Sequence, residues 1–298
     1  MQITPPVLRA LGQGFKSQFL KGVGSVTPTW PLVAMEIASN TKTENYAWMK
    51  DIPGVREWVG DRVINNLESI NYQLTNKHYE HTIGVNRTDI EDETLGIYAN
   101  RFAIQGEIAA QHPDNLVWAN LLTGFATVGL DGQYFFDTDH VGYTAAGAET
   151  SYSNTGGGSS APWFLMDLSR SFMKPMIFQN RQAPKFVQLT NETDENVFFN
   201  KQFIYGMDAR YTTGFGFHQL AYGSKATLDS AAYVAARIAM STQHRPDGSV
   251  QNIQPTHAIV GPSNEAAIRG IVSAQFGSGG ANNIWYNSVQ VVVIPALG

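Results

Sequence analysis

The densest chemical grouping in the chain is the segment DGQYFFDTDH, which brings Asp131, Asp137, Asp139 and His140 close together in sequence. Three carboxylates and an imidazole could gather around a hard cation or activate a water, the equipment of a metal-dependent hydrolase. The spacing speaks against it. The segment lacks the regular alternation and terminal glutamate of an EF-hand loop, and Asp-Gly and Thr-Asp pairs are ordinary turn formers. Turn formation is the preferred reading, and a hydrolase built on these four residues is the alternative. His78 and His81, with Glu80 between them, form a second candidate. On an extended strand an offset of three sends the two imidazoles to opposite faces, so solvent or packing roles are expected instead. YGSKAT around Lys225 ends like a phosphate loop, but His218 stands where the opening glycine belongs. FGSGGANN has Phe276 where a nucleophile elbow around Ser278 needs glycine. With zero cysteines, disulfides, thiolate nucleophiles and Cys-ligated zinc are excluded together. No catalytic, cofactor-binding or metal-ligating residue is assigned, and no enzyme activity or cofactor is expected.

The elements around these residues are those of a folded protein. At 298 residues, 43% hydrophobic and 15% charged, the chain can bury a sizeable core. A net charge of −5 gives no overall cationic field, which disfavours sequence-specific DNA reading. No run approaches the roughly 20 apolar residues of a bilayer span, and MQITPPVLRALGQGF lacks the pattern of a secretory leader, so a cytoplasmic product with no membrane stage is expected. Residues 5–20 place Val7, Leu8, Leu11, Phe15 and Phe19 at near-helical spacing behind two prolines. Two extended runs, 61–74 and 78–87, flank the turn-forming TNK and suggest a long hairpin. Thr88 and Glu91 read as a capping box that opens a long helix. Its core face is expected to carry Ile90, Tyr98, Phe102, Ile104 and Ile108, and a stripe of Gly96, Ala99, Ala103, Gly106 and Ala110 would admit a second backbone closely. Its expected end is His112-Pro113. Gly/Ser/Thr-rich residues 145–162 read as a mobile loop. WFLMDL, PMIFQN, KFVQLT, VFFNKQFIYG and GFGFHQLA read as aromatic-rich strands. An α/β tail closes the chain: helices at DSAAYVAARIAMSTQ and, capped by Ser263, SNEAAIRGIVSAQ, with strands at HAIVG and VQVVVIP.

YAWMKDIPGVREWVGDR followed by NKHYEHTIGVNRTDIEDETLGIY closely resembles the major head proteins of Mu-like bacteriophages and prophages. Later phrases keep the order of that family: DGQYFFDTDH, WFLMDLSRSFMKPMIFQNR, VFFNKQFIYGMDAR, GFGFHQLAYGS, and IVGPSNEAAI with VVVIPAL. The resemblance covers nearly the whole chain. It implies an α+β capsid subunit with the HK-ninety-seven fold of tailed-phage shells, which has an N-terminal arm, an extended hairpin called the E-loop, a long spine helix, and peripheral and axial domains. On this sequence these would be residues 1–45 for the arm, 46–87 for the hairpin, 88–225 for the peripheral domain with its spine helix, and 226–298 for the axial domain. The implied function is self-assembly through hexamers and pentamers into an icosahedral head enclosing double-stranded DNA, which the shell contacts weakly and without sequence preference. Implied partners are a scaffolding protein or head protease, a portal and a decoration protein, with no membrane. The implied location is the virion, with assembly in the host cytoplasm. Tryptophan and arginine concentrate energy at interfaces. Trp48 and Trp58 are therefore candidate anchors on a neighbouring subunit, with Arg56 and Glu57 as charged contacts beside them. The competing reading is that these residues pack the base of the hairpin within one subunit.

Overall fold

The computed structural model describes residues 5–49, 69–92, 97–191, 193–276 and 280–298. Its helices are α1 (Pro5–Val23), α2 (Arg87–Asp92), α3 (Ile97–Thr123), α4 (Glu195–Asn200), α5 (Ser230–Ser241) and α6 (Pro262–Val272). The strands are β1 (Ala34–Ala38), β2 (Thr43–Met49), β3 (Ser69–Thr75), β4 (Lys77–Asn86), β5 (His140–Tyr143), β6 (Glu149–Tyr152), β7 (Thr155–Gly158), β8 (Trp163–Met166), β9 (Met176–Leu189), β10 (Gln202–Phe215), β11 (Ala221–Lys225), β12 (His257–Val260) and β13 (Gln290–Val293). Among the described residues no helix is long and apolar enough to cross a membrane.

Two sheets organise the molecule. The first runs β1-β9-β10-β4, and the second β13-β12-β8-β11-β7. On β10, Phe203, Tyr205, Met207, Ala209 and Tyr211 are all buried, the period-two signature of a strand with one covered face. That face meets α1 and α3: the Tyr205 ring lies 5.0 Å from Phe102 and 5.2 Å from Phe15. The second sheet shares its core with α5 and α6, through Trp163, Leu165, Tyr233, Met240, Ile268 and Val272. Its strands come from three stretches of chain, so β7, β8 and β11 join the α/β tail in one layer. Asp229 caps α5 by accepting from Ala232 N–H at 2.8 Å.

The small-residue stripe on α3 does what its spacing requires. A Cβ on Gly106 would lie 2.0 Å from the carbonyl oxygen of Phe19, and one on Gly22 would lie 1.8 Å from that of Ala103. The backbones of α1 and α3 therefore touch at their glycines, which no larger residue permits. The apolar face differs from expectation. Phe102, Gln105 and Ala109 point inward, whereas Ile104 and Ile108 are 54% and 48% exposed. Phe102 and Ile104 are two residues, about 200°, apart on a helix, so one face cannot hold both.

Local rules also misplaced several boundaries. α3 runs through Pro113 because Val117, Trp118 and Leu121 beyond it are fully buried. Three such side chains, at about 1.5–3 kcal/mol each, outweigh the roughly 3 kcal/mol cost of an internal proline. α2 already begins at Arg87, so Thr88 is not its cap, and α6 begins at Pro262 behind Gly261, so Ser263 lies inside it. Val197–Asn200 form part of α4 and are not strand. Residues 149–158 are not a loop but contain β6 and β7. The hairpin expected around TNK does not form: β3 pairs with β2, and β4 pairs with β10. An alternating pattern marks a strand without naming its partner.

Candidate functional site

The β2–β3 ribbon stands on a buried polar base. Its antiparallel register runs from Thr43 opposite Thr75 to Met49 opposite Ser69. Gln179 of β9 is fully buried beneath it. Its side-chain oxygen accepts from the Tyr46 hydroxyl at 2.8 Å, and its nitrogen donates to Asn76 Oδ1 at 2.9 Å and to Leu74 O at 3.2 Å. The Asn76 amide donates in turn to Ser39 Oγ at 2.8 Å and Thr41 O at 3.0 Å, at the point where the chain leaves one ladder for the other. Phe215 N–H donates to the Tyr72 hydroxyl at 3.0 Å. On the rim, Glu44 Oε1 accepts from the backbone of Thr41 and Asn40 and from the Ser39 hydroxyl. These donors, the Thr41 N–H foremost, hold its carboxyl down at about 2. The ribbon is tied to the body most firmly at Gln179 and Asn76, where breaking a bond strands a buried polar group.

The backbone of Trp48 lies in this ribbon, opposite Ile70. Arg56, Glu57 and Trp58 lie outside the described residues.

The DGQYFFDTDH segment divides. Asp131 and His140 come together: His140 Nδ1 is 2.6 Å from Asp131 Oδ2. Asp137 and Asp139 do not join them. Asp137 Oδ1 accepts from Thr138 N–H at 2.7 Å, and Asp139 is exposed. The turn reading holds at Asp131-Gly132, where Gly132 has φ 85° and Asp131 Oδ1 accepts from Gln133 N–H at 3.2 Å. The partner that sequence reasoning missed is His218, in the short turn between β10 and β11. Its Nε2 is 3.4 Å from the same Asp131 oxygen, its Nδ1 is 2.6 Å from the Tyr152 hydroxyl, and its ring stacks on His140 at 4.0 Å. Burial, with His140 beside it, pushes the His218 imidazole down to about 3 against the opposing pull of Asp131. Burial acts to raise Asp131, but the hydrogen bond from His140 and the neighbouring histidines outweigh it and hold its carboxyl below the usual range. Asn154, also buried, stitches the three segments together. It donates to Phe135 O at 2.8 Å and His218 O at 3.3 Å while its own side-chain oxygen accepts from Asp137 N–H at 2.8 Å. No fixed spacing links His218 to the decapeptide, so no sequence motif could have paired them.

The other candidates resolve to structure. His78 and His81 lie three apart on β4 and so on opposite faces, and Lys225 ends β11 with its ammonium 4.5 Å from the centre of the Phe125 ring.

The architecture and the sequence agree with one group of known proteins. The family described as the Mu-like prophage major head subunit gpT matches residues 8–297. The Mu-like prophage FluMu major head subunit of Haemophilus influenzae is 39% identical over 88% of this chain and 87% of its own length. The major capsid protein of Escherichia phage Mu is 32% identical over the full length of both chains. Among solved structures, a subunit from the procapsid of bacteriophage JBD30 superposes with a TM-score of 0.86 at 38% identity, over 99% of this chain and 100% of that one. A subunit from the JBD30 capsid does so with a TM-score of 0.79 at 27% identity, over 100% of both. The fold is thus that of the HK-ninety-seven-like capsid proteins, and the chain belongs to the Mu-like major head subunit family.

Proposed function

We propose that copies of this chain assemble through hexamers and pentamers into the icosahedral head shell of a Mu-like tailed phage, enclosing double-stranded DNA. The observation that carries this reading is the likeness over the whole chain to the JBD30 procapsid subunit. In assembly of this kind many modest surfaces, repeated by rotation, close a shell, and valency supplies the strength. Its role is structural and not enzymatic. The four-residue grouping read from the sequence does not form as a unit, because Asp137 serves its own turn and Asp139 faces solvent while Asp131 and His140 stay together.

On this reading α1 belongs to the arm, the β2–β3 ribbon is the base of the E-loop, and α3 is the spine. The first sheet belongs to the peripheral domain, and the second supplies the axial layer together with α5 and α6. That layer draws in β7, β8 and β11, which lie upstream of residue 226. A net charge of −5 suits a lining that touches packaged DNA weakly and without sequence preference. A scaffolding protein or head protease and a portal are the expected assembly partners, with assembly in the host cytoplasm. A decoration partner is suggested by the related JBD30 capsid, which was solved decorated with minor capsid protein trimers.

Purified protein, alone and supplied with its scaffold, should give rings, tubes or shells by negative-stain microscopy; monodisperse monomers under every condition would refute the proposal. Trp48 and Trp58 are proposed to anchor the hairpin on a neighbour, with Arg56 and Glu57 beside them. Trp58→Ala should then block higher-order assembly while leaving the thermal transition of the free subunit within about 0.5 kcal/mol of wild type, as for a surface change. A large loss of subunit stability would instead place that ring in its own subunit's core.

A further inference from the structure

We propose that Asp131, His140 and His218 form a divalent transition-metal site, suited to zinc, that fastens the Asp131–Tyr152 segment to the passage between the two sheets. The three residues each offer one donor atom, and all of these atoms lie within 4.8 Å of one another. Two imidazole nitrogens and one carboxylate oxygen match zinc and its neighbours, whereas magnesium and calcium want oxygen donors. Both histidines are buried and Asp131 is partly exposed, so the site is walled on the histidine side. The 3.4 Å between His218 Nε2 and Asp131 Oδ2 is already the edge expected between two ligands each about 2.0–2.1 Å from a tetrahedral ion. The 2.6 Å between His140 and Asp131 must open by about 0.7–0.8 Å to reach that edge.

The surroundings are those of a metal centre. Ligating groups are characteristically oriented by second partners. Tyr152 holds His218 through its other ring nitrogen, and Gln133 N–H holds the other Asp131 oxygen, leaving Nε2 and Oδ2 turned to the shared point. Among the described residues the His140 ring hydrogen-bonds only to Asp131, through Nδ1, and its buried Nε2 has no hydrogen-bond partner. A satisfied structural network rarely leaves such an atom, so the Asp131–His140 pair is not a finished hydrogen-bond network by itself. The location gives the site a purpose. His218 sits where the chain passes from β10 of the first sheet to β11 of the second, while Asp131 and His140 follow α3. An ion there would close a cross-link of 87 residues between Asp131 and His218, in a chain that has no disulfide. The proposal requires no chemistry at the ion and does not depend on the assembly reading.

The test is titration of chelator-treated, purified full-length subunit with cobalt(II) and then zinc. The expected result is one cobalt per chain with a visible ligand-field band of tetrahedral intensity, displaced stoichiometrically by zinc, and a raised melting temperature with either ion. His218→Asn and Asp131→Asn should abolish the band, Asp139→Asn should leave it, and Tyr152→Phe, which keeps all three ligands, should weaken binding about 10-fold. Failure of folded wild-type protein to bind cobalt near one equivalent overturns the proposal, with no reliance on variants that misfold. So does a band that survives His218→Asn, because the metal then sits elsewhere.

Discussion

His112 shows how a single residue couples helix to sheet. Its Nδ1 lies 2.7 Å from the Tyr211 hydroxyl, and its ring meets Tyr79 edge-on at 4.5 Å while Tyr79 stacks on Tyr211. This aromatic pocket favours the neutral imidazole, so burial pushes His112 below its ordinary value and pushes the Tyr211 hydroxyl up. A group lowered on folding takes up its proton more readily in the unfolded chain. The stability it supplies is therefore complete above the ordinary histidine value near 6.5 and is lost progressively as the pH falls below it. Melting temperature should accordingly fall between pH 7 and pH 5, and His112→Gln should flatten part of that slope. An unchanged slope in the variant would show that His112 is as readily protonated folded as unfolded.

Between elements, the α1–α3 contact makes an opposed pair of predictions from one residue type. Gly106→Ala must move the Phe19 carbonyl, 2.0 Å from the new Cβ, and so should cost about 1–3 kcal/mol through overpacking of a rigid backbone contact. Gly14, in the middle of α1, has open space for 4 Å around the place a Cβ would take. Gly14→Ala should stabilise by about 0.5–1 kcal/mol through helix propensity alone. Equal effects at the two sites in chemical denaturation would mean that the helices do not touch at their glycines. The stripe was legible in the sequence as room for a second backbone, though not that α1 supplies it; α1 and α5 were legible from their periodicity and β12 from its short apolar run. What stayed hidden was decided at a distance. β3 and β4 both alternate, but they join different ladders on either side of Asn76, which is held by Gln179. Pro113 reads as a stop until Trp118 and Leu121 are seen to be buried beyond it. The Asp131–His140 pair lay inside one decapeptide, whereas His218 sat in a segment read as strand, so the group existed only once the two sheets were in place.

For the whole molecule, the apolar side chains that the isolated subunit leaves uncovered bear directly on assembly. At the end of the first sheet, Phe198 and Phe199 on α4 are each 72% exposed, with Leu189 at the end of β9 also exposed. The two rings lean on one another at 5.1 Å. They lie on a six-residue helix whose other anchor is Val197, buried with Phe203 and Tyr205. Clustered exposed aromatics mark a surface that another molecule covers, and the prediction is that a sister subunit covers this one. Replacing both by serine removes little that the monomer buries, so its stability should change by no more than about 0.5 kcal/mol. The same change should deprive every copy in the shell of one apolar contact, and repetition multiplies the loss. The double variant should therefore melt like wild type yet sediment as free subunits or small oligomers under conditions where wild type forms shells. Shells of normal yield and stability from Phe198→Ser with Phe199→Ser would show that this end of the sheet faces solvent in the particle and that closure rests on other surfaces.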